Sequence, residues 1–339
     1  MKIANARPFL PARPAALRRR TLMACGAAAV ALGLAGAVHA QGSTPLRVIL
    51  PVSAGSGVDV ILRSAQVALS KALGGQPVVI ENMPGAGGIT GTQAAVRAAP
   101  GGNTIAVVSN NHAVNPSVFR KLPYDSLGDI TPITVIGGSP FVFVVNPAKV
   151  PARNARELQA LLKSKPGELN FASSGNGTII HLAGELAVSE LGGSARHIPY
   201  KGMGPMITDL MSGQVEMGAA AVVAVQGQIK AGQLRPIGVM GKERVSALPD
   251  VPTLAEQGFP GIDIAGWFAA VGPKGLPSAQ VKRLHDAFVI AFNDPEVKAG
   301  FAKRDDQLIL NSPEEAARFL KSEQERYAAL VKKANVIAE

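Results

Sequence analysis

Apolar and polar positions alternate with two different periods along residues 46–109. Residues 46–51 form a short apolar run typical of a buried strand, and residues 58–73 carry apolar side chains at helical spacing. Gly74-Gly75 ends that helix. The runs 77–81 and 104–109 predict two further strands with a helical segment between them. Alternation of this kind predicts a mainly parallel sheet with helices on both faces.

A second set of elements follows the apolar run 141–145. The later segments predicted from their patterns are the strands 169–172, 214–222, 234–240 and 262–271 and the helices 179–191, 278–292 and 313–335. A chain that crosses over and returns forms two lobes with a cleft between them. We therefore predict a two-lobed α/β protein, with lobe 1 built from residues 41–142 and 266–339 and lobe 2 from residues 143–265.

The first forty residues read as an export signal. A basic segment without acidic residues ends at Arg20, an apolar stretch rich in Ala and Gly follows from Thr21, and Val38-His39-Ala40 supplies small residues at −3 and −1. A membrane anchor would need about 20 strongly apolar residues, and this stretch is shorter and weaker. We predict a signal peptide, residues 1–40, cleaved after Ala40, and a periplasmic protein. Arg19-Arg20 loosely fits a twin-arginine signal, although general secretion is favoured.

Removal of this segment changes the charge balance. The 339 residues carry 34 Lys and Arg against 24 Asp and Glu, but six of the basic residues lie before residue 41. The remaining 28 basic and 24 acidic residues give a net charge of +4. No basic cluster with interleaved aromatic residues survives, which argues against nucleic acid as a partner. The single cysteine, Cys25, leaves with the signal, which suits an oxidising compartment and excludes a disulfide scaffold.

Small residues are concentrated where predicted strands meet predicted helices. Three such turns are residues 53–57, 84–88 and 173–178. Ligands of open α/β sheets bind at the carboxyl ends of strands, and helix N-termini there offer free N–H groups and a positive partial charge to anions. Turns of this kind from both lobes could bind a carboxylate without any Arg. Lys201, in a glycine-flanked loop after Tyr200, could attract the same anion.

Catalytic, metal and nucleotide sites are weaker hypotheses. The residue types of a serine hydrolase triad are present in Ser173 or Ser174, His181 or His197, and Asp209, but no GxSxG motif occurs. His181 and Glu185 lie four apart on one helical face, yet no HExxH motif supports a metal site. Neither a GxGxxG fingerprint nor a P-loop occurs. We therefore expect no metal and no cofactor, and we keep a periplasmic serine hydrolase as the alternative function.

Several of these segments, taken together, resemble the Bug family of extracytoplasmic solute receptors, the substrate-binding components of tripartite tricarboxylate transporters. The similarity extends over nearly all of the chain after the signal. The segments that carry it are 81–88 (ENMPGAGG), 121–125 (KLPYD), 170–185 (NFASSGNGTIIHLAGE), 197–209 (HIPYKGMGPMITD) and 248–256 (LPDVPTLAE).

The resemblance implies a type II-like periplasmic binding protein that closes on a small organic carboxylate and is not an enzyme. It implies that the partner is a set of cognate transporter membrane subunits, or a sensor, and we expect a monomer. Family members hold the ligand carboxylate with backbone amides and hydroxyl groups of both lobes. Carried over to this chain, the implied contacts are Ser53, Ala54, Gly55, Ser56, His112, Asn115, Ser173, Ser174, Gly177, Thr178, Tyr200, Lys201, Gly202 and Asp209.

The first loop departs from the family pattern. Val52 stands where the family has an aromatic residue, Ser56 stands for the second of two glycines, and Val58 replaces the usual Thr before Asp59. The added hydroxyl and the missing aromatic ring could change which ligand is preferred. The ligand is therefore less transferable from the resemblance than the fold.

Overall fold

Short strands alternate with helices through most of the chain, as the sequence pattern predicts. The computed structural model describes residues 44–304, 306–334 and 336. The strands in this part are β1 (Leu46–Leu50), β2 (Val78–Asn82), β3 (Thr104–Ser109), β4 (Ile130–Val145), β5 (Asn170–Ser173), β6 (Arg196–Pro199), β7 (Met217–Ala221), β8 (Arg235–Val239), β9 (Ala265–Pro273) and β10 (Gln307–Leu308).

The helices lie between and around these strands. They are α1 (Gly57–Ala72), α2 (Ile89–Val96), α3 (Asn110–Val118), α4 (Ala155–Ser164), α5 (Ile179–Glu190), α6 (Met203–Ser212), α7 (Val222–Lys230), α8 (Ser278–Phe292), α9 (Pro295–Ala302) and α10 (Pro313–Ala334). A short 3₁₀ turn, Ala86–Gly88, leads into α2.

Eight of the ten strands in the described part follow one path, β2-β1-β3-β9-β4-β7-β5-β6, and β8 and β10 each pair with β4 off this path. The pairs β1–β2, β1–β3, β5–β6 and β5–β7 are parallel, whereas β9 and β4 are antiparallel to their neighbours. Strand β4 changes partners along its length: it pairs with β9 as far as Pro140 and with β7 and β8 from Phe141 onward. A parallel unit therefore lies on each side of the long antiparallel strands.

Two buried cores pack against the sheet, one within the first lobe and the other extending from the opposite face of β1 and β3 into the second lobe. In β1, Leu46, Val48 and Leu50 face one core, and Ile49 faces the other, as the period of two of a strand requires. The first core continues into α1 and α8, which cover one face of the sheet. The predicted two-lobed α/β fold is confirmed, and the exact lobe boundaries at residues 142/143 and 265/266 remain a prediction.

The structure extends the predicted elements in places where local sequence signals were weak. Strand β4 begins at Ile130 rather than 141, because bulges accommodate a segment that contains Pro132 and Gly137 and therefore resembles a loop. The helices that were not predicted are short, at eight to ten residues each: α3, α4, α6, α7 and α9. Their packing against the sheet, rather than their own propensity, accounts for them.

The predicted signal peptide lies outside the described residues, so its cleavage after Ala40 stays a prediction. Among the helices of the described part, none combines the length and the apolar character that crossing a bilayer requires.

Two glycines inside helices provide a test of the packing. A methyl group added at Gly184 in α5 would lie 2.6 Å from the ring of buried Phe171, whereas one added at Gly227 in α7 would meet nothing within 4 Å. We expect Gly184→Ala to lower the free energy of unfolding by about 1–3 kcal/mol through overpacking. Gly227→Ala should raise it by about 0.5–1 kcal/mol, because alanine loses less backbone entropy in a helix.

Urea denaturation of the two variants beside the parent protein measures both effects. Equal changes in the two variants would contradict the packing described for α5 and β5.

Candidate functional site

A cavity of about 560 Å³ lies where the carboxyl ends of strands from both lobes meet. The turns after β1, β2, β3, β5, β6 and β7 all contribute to its wall, which is where open α/β sheets bind ligands. The crossing strands β4 and β9 complete the wall with Ser139, Phe141 and Gly266–Phe268.

The first loop is held in place by Asp59, which is 5 % exposed. Its carboxylate accepts hydrogen bonds from the Gly55 amide at 3.0 Å, from Arg63 Nε at 2.8 Å and from Asn82 Nδ2 at 3.0 Å. Ser56 caps α1 through the amide of Asp59, at 3.4 Å. Asp59 therefore fixes the loop from behind.

Of the four residues predicted in this loop, Ser53 and Ser56 line the cavity, while Ala54 and Gly55 lie outside its lining. Ser53 Oγ accepts a hydrogen bond of 3.2 Å from the amide of Met203, at the start of α6. This bond joins the first loop to the other lobe.

The predicted residues His112 and Asn115 lie behind the wall rather than in it. Asn115 Nδ2 donates to the carbonyl of Gly87 at 3.1 Å, and Gly87 belongs to the turn 84–88 that lines the cavity. His112 Nε2 lies 2.7 Å from the carbonyl oxygen of Ser126, and its ring is 3 % exposed. Asn115 therefore supports a turn of the wall, whereas His112 contacts a backbone group outside the lining.

The residues immediately before His112 do line the cavity. Asn110 bonds in three directions: its Nδ2 donates to Ala265 O at 3.0 Å and to Tyr327 Oη at 2.5 Å, and its Oδ1 accepts from the amide of Trp267 at 2.8 Å. Asn111 Oδ1 accepts from the amide of Ile179 at 2.7 Å and so forms a second bridge between the lobes.

The second-lobe loop supplies Ser174 and Thr178 to the lining, while Ser173 and Gly177 lie outside it. Thr178 caps α5, with its Oγ1 accepting from the amide of His181 at 3.3 Å and donating to Gly175 O at 2.9 Å. Ser174 Oγ donates to the hydroxyl of Thr178 at 3.1 Å. These bonds fix the loop in one conformation.

The turn after β6 places Tyr200, Lys201 and Gly202 in the lining. Asp209 lies outside the lining, and its Oδ2 accepts a hydrogen bond of 2.9 Å from the Tyr200 hydroxyl. Burial, together with this bond, raises the pKa of Tyr200 to about 12. Tyr200 is therefore a neutral hydrogen-bond donor at physiological pH. The ligand-binding roles of all these residues remain predictions.

The electrostatic character of the cavity wall would favour an anion in the cavity. Within the described residues, Lys201 is the only charged side chain in the lining, and no carboxylate lines it. Six helices of this part begin at the wall: α1, α2, α3, α5, α6 and α7. The positive ends of their dipoles are directed at the cavity, although the first amides of α5 and α6 already donate to Asn111 and Ser53.

The hydrolase and metal hypotheses find no support in the geometry. Ser173 Oγ does lie 2.6 Å from His197 Nε2, but Ser173 is fully buried and neither residue lines the cavity. Asp209 is bonded to Tyr200 instead of a histidine. No group of three or more His, Cys, Asp or Glu side chains able to hold a metal ion occurs among the described residues.

The sequence analysis missed several residues of the wall. Asn111 directly follows strand β3, so the rule that ligands bind at strand ends could have found it. Phe119 lies close to Gly87 of one lobe and Gly177 of the other, and no local pattern marks it. Ser139 and Phe141 look like ordinary strand positions in the sequence, and only pairing with β9 and β7 brings them to the cavity.

Comparison with known proteins identifies the family. The model of the tripartite tricarboxylate transporter family receptor matches residues 61–336. The chain belongs to this family. It is 33% identical to the protein BugT of Bordetella pertussis over 92% of this chain and 97% of BugT. The predicted resemblance to the Bug receptors is therefore confirmed.

Solved structures agree with this assignment. The periplasmic binding protein BugD is 29% identical and superposes with a TM-score of 0.83, covering 87% of this chain and 99% of BugD. Rpa4515 of R. palustris, solved with adipate, is 28% identical with a TM-score of 0.83, covering 86% of this chain and 98% of its own. The fold is thus that of a periplasmic binding protein.

Two histidines near the site give the protein a predicted sensitivity to acid. Burial lowers the pKa of His112 to about 4, and burial with the neighbouring ring of His181 lowers that of His197 to about 4. Between pH 6.5 and 4 these histidines are protonated in the unfolded chain but remain neutral in the folded protein. The free energy of unfolding therefore falls as the pH falls through this window.

We expect His112→Gln to reduce this decline by up to about 1.4 kcal/mol per pH unit, the limit for one titrating group. The glutamine amide can still reach the carbonyl of Ser126. Urea denaturation at pH 7, 6, 5 and 4 measures the decline, and an identical decline in parent and variant would contradict the assignment to His112.

Proposed function

We propose that this protein is a non-catalytic periplasmic receptor that captures a small organic carboxylate between its lobes and presents it to the membrane subunits of a tripartite transporter. The observation that carries this proposal is the wall of the cavity. Six helices begin there, with Lys201 as the only charged side chain and no carboxylate among the described lining residues.

This arrangement suits capture and release of an anion. Backbone N–H groups and helix dipoles stabilise a carboxylate through fixed partial charges, so binding does not require a buried full cation. Burying a second charge without a partner would cost free energy in the empty receptor. A site made mainly of neutral donors avoids that cost when the ligand leaves.

The two lobes are already bridged on either side of the cavity. The bonds from Met203 to Ser53 and from Ile179 to Asn111 join loops of one lobe to helix starts of the other. In a hinged receptor these bonds would form on closure, together with contacts to the ligand. The closed form would then differ from the open form in the surface offered to a partner.

The relatives support a carboxylate and a transport role. The matching family is named for receptors of tripartite tricarboxylate transporters, and the R. palustris protein was solved with adipate. A sensor protein instead of a transporter would use the same closure. Because Ser173 is buried and neither it nor its partner His197 lines the cavity, a hydrolase is the weaker proposal.

A thermal-shift screen tests the proposal. The protein, exported with its own leader and purified from the periplasm of an expression host, is unfolded and refolded to remove bound ligand and then mixed with mono-, di- and tricarboxylates and neutral amides. A carboxylate at a hundred times its Kd should add about 2.7 kcal/mol of stability. A shift with the amides alone, or none with a cooperatively folded protein, would count against a carboxylate receptor.

Lys201 allows a specific test within the site. We expect Lys201→Met to weaken binding of the best carboxylate on the order of tenfold, since a charge-assisted bond to the ligand is lost. Lys165→Met makes the same change of net charge at an exposed position outside the cavity lining and should leave affinity unchanged. Isothermal titration calorimetry of both variants measures the difference, and equal losses would remove Lys201 from the site.

A further inference from the structure

One hydroxyl group in the cavity wall differs from its neighbours. Ser139 is 5 % exposed and lines the cavity, and its Oγ has no hydrogen-bond partner within the described residues. A buried hydroxyl without a partner destabilises a folded protein. Such a group needs an explanation, and its position in a ligand cavity suggests one.

The other hydroxyl groups and amides discussed above do have partners. Ser53 and Ser56 accept from backbone amides, and Thr178 bonds to the carbonyl of Gly175. Tyr200 donates to Asp209, and Asn110 makes three bonds. Those groups hold the wall together. Among these side chains, only the Ser139 hydroxyl is left without a hydrogen-bond partner.

The strand neighbours of Ser139 carry no charge. It lies on β4 directly opposite Gly266 of β9, and Phe141 lies two residues further along the same strand. A methyl group added at Gly266 would lie 2.8 Å from the Phe141 ring, so this ring lies beside the glycine that faces Ser139. The Phe141 ring therefore occupies the space that a side chain at Gly266 would fill, and it gives this part of the cavity wall an apolar surface.

This environment discriminates between a neutral and a charged ligand group. A carboxylate beside Phe141 and Gly266 would have one neutral hydroxyl as partner, and an ion buried with so few partners is costly. A hydroxyl or carbonyl group would need only the single bond that Ser139 offers. The helix starts and Lys201, by contrast, lie on the turns and can hold one carboxylate.

We infer that the ligand is a monocarboxylate with a second, uncharged hydrogen-bonding group, and that Ser139 is the residue that binds this second group. The inference rests on the proposed carboxylate receptor and narrows its substrate class. It separates this chain from a receptor whose ligand carries two carboxylates.

Two matched ligand series test the inference. Hexanoate, 6-hydroxyhexanoate and adipate share a flexible chain, and benzoate, 4-hydroxybenzoate and terephthalate share a flat ring; within each series the second group is apolar, a hydroxyl or a carboxylate. Calorimetry on the refolded protein should show the hydroxylated member binding about five- to tenfold more tightly than the apolar one in at least one series, as a single net hydrogen bond predicts.

Ser139→Ala identifies the residue responsible. The variant should lose the advantage of the hydroxylated ligand, bind the apolar member as the parent does, and melt at an equal or higher temperature without ligand. Ser126→Ala is the matched control, because the Ser126 hydroxyl is also buried and without a partner but lies outside the cavity lining. It should leave the affinities of all six ligands unchanged.

Three results would overturn the inference. The dicarboxylate could be the tightest ligand in both series, which would leave the carboxylate receptor intact while rejecting the neutral second group. Ser139→Ala could weaken all members of a series equally, which would indicate a structural role. Finally, all six ligands could fail to bind while another carboxylate stabilises the protein in the thermal screen, which would reject this ligand class alone. Failure of every carboxylate in both experiments would reject the proposed function as well.

Discussion

Strand β4 is the element on which the rest of the structure depends, because its sixteen residues belong to both halves of the sheet. It pairs with β9 as far as Pro140 and with β7 and β8 from Phe141, so each lobe is built outward from one end of the same strand. The parallel strands on either side then direct their carboxyl ends toward the region between the lobes. The position of the cavity follows from this shared strand.

The electrostatic character of the cavity follows from the same geometry. A helix that follows a strand directs its N-terminal amides and the positive end of its dipole toward the strand's carboxyl end. Six such starts converge on one cavity within the described residues. The positive electrostatic character of the cavity wall is therefore a property of the backbone path, and side chains serve mainly to fix the loops. Asp59 illustrates this role, since its carboxylate faces the first loop from behind instead of facing the ligand.

Most polar residues of the wall stabilise the loops, and few remain available to a ligand. Most polar side chains of the wall bond to one another or to the backbone, which holds the donors in place before a ligand arrives and limits the entropy lost on binding. A group that remains unbonded, such as Ser139, carries a cost in the empty protein that a ligand can remove. Stability of the free receptor and affinity for its ligand are thus partly opposed at the cavity wall.

The sequence alone determined the strand and helix alternation from residue 46 to 109, the return of the chain to the first lobe and the small-residue turns at strand ends, because these depend on local periodicity and on Gly, Ser and Pro placement. The motif segments also sufficed to predict the family. Tertiary structure decided which residues of each turn face the cavity: His112 and Asn115 turn toward backbone carbonyl groups, while Asn110 and Asn111 beside them line the wall. It also brought Ser139 to the cavity, since only the pairing of β4 with β9, more than 120 residues away, gives that hydroxyl its surroundings. Contacts between distant segments have no local signature, and for that reason the sequence could not reveal them.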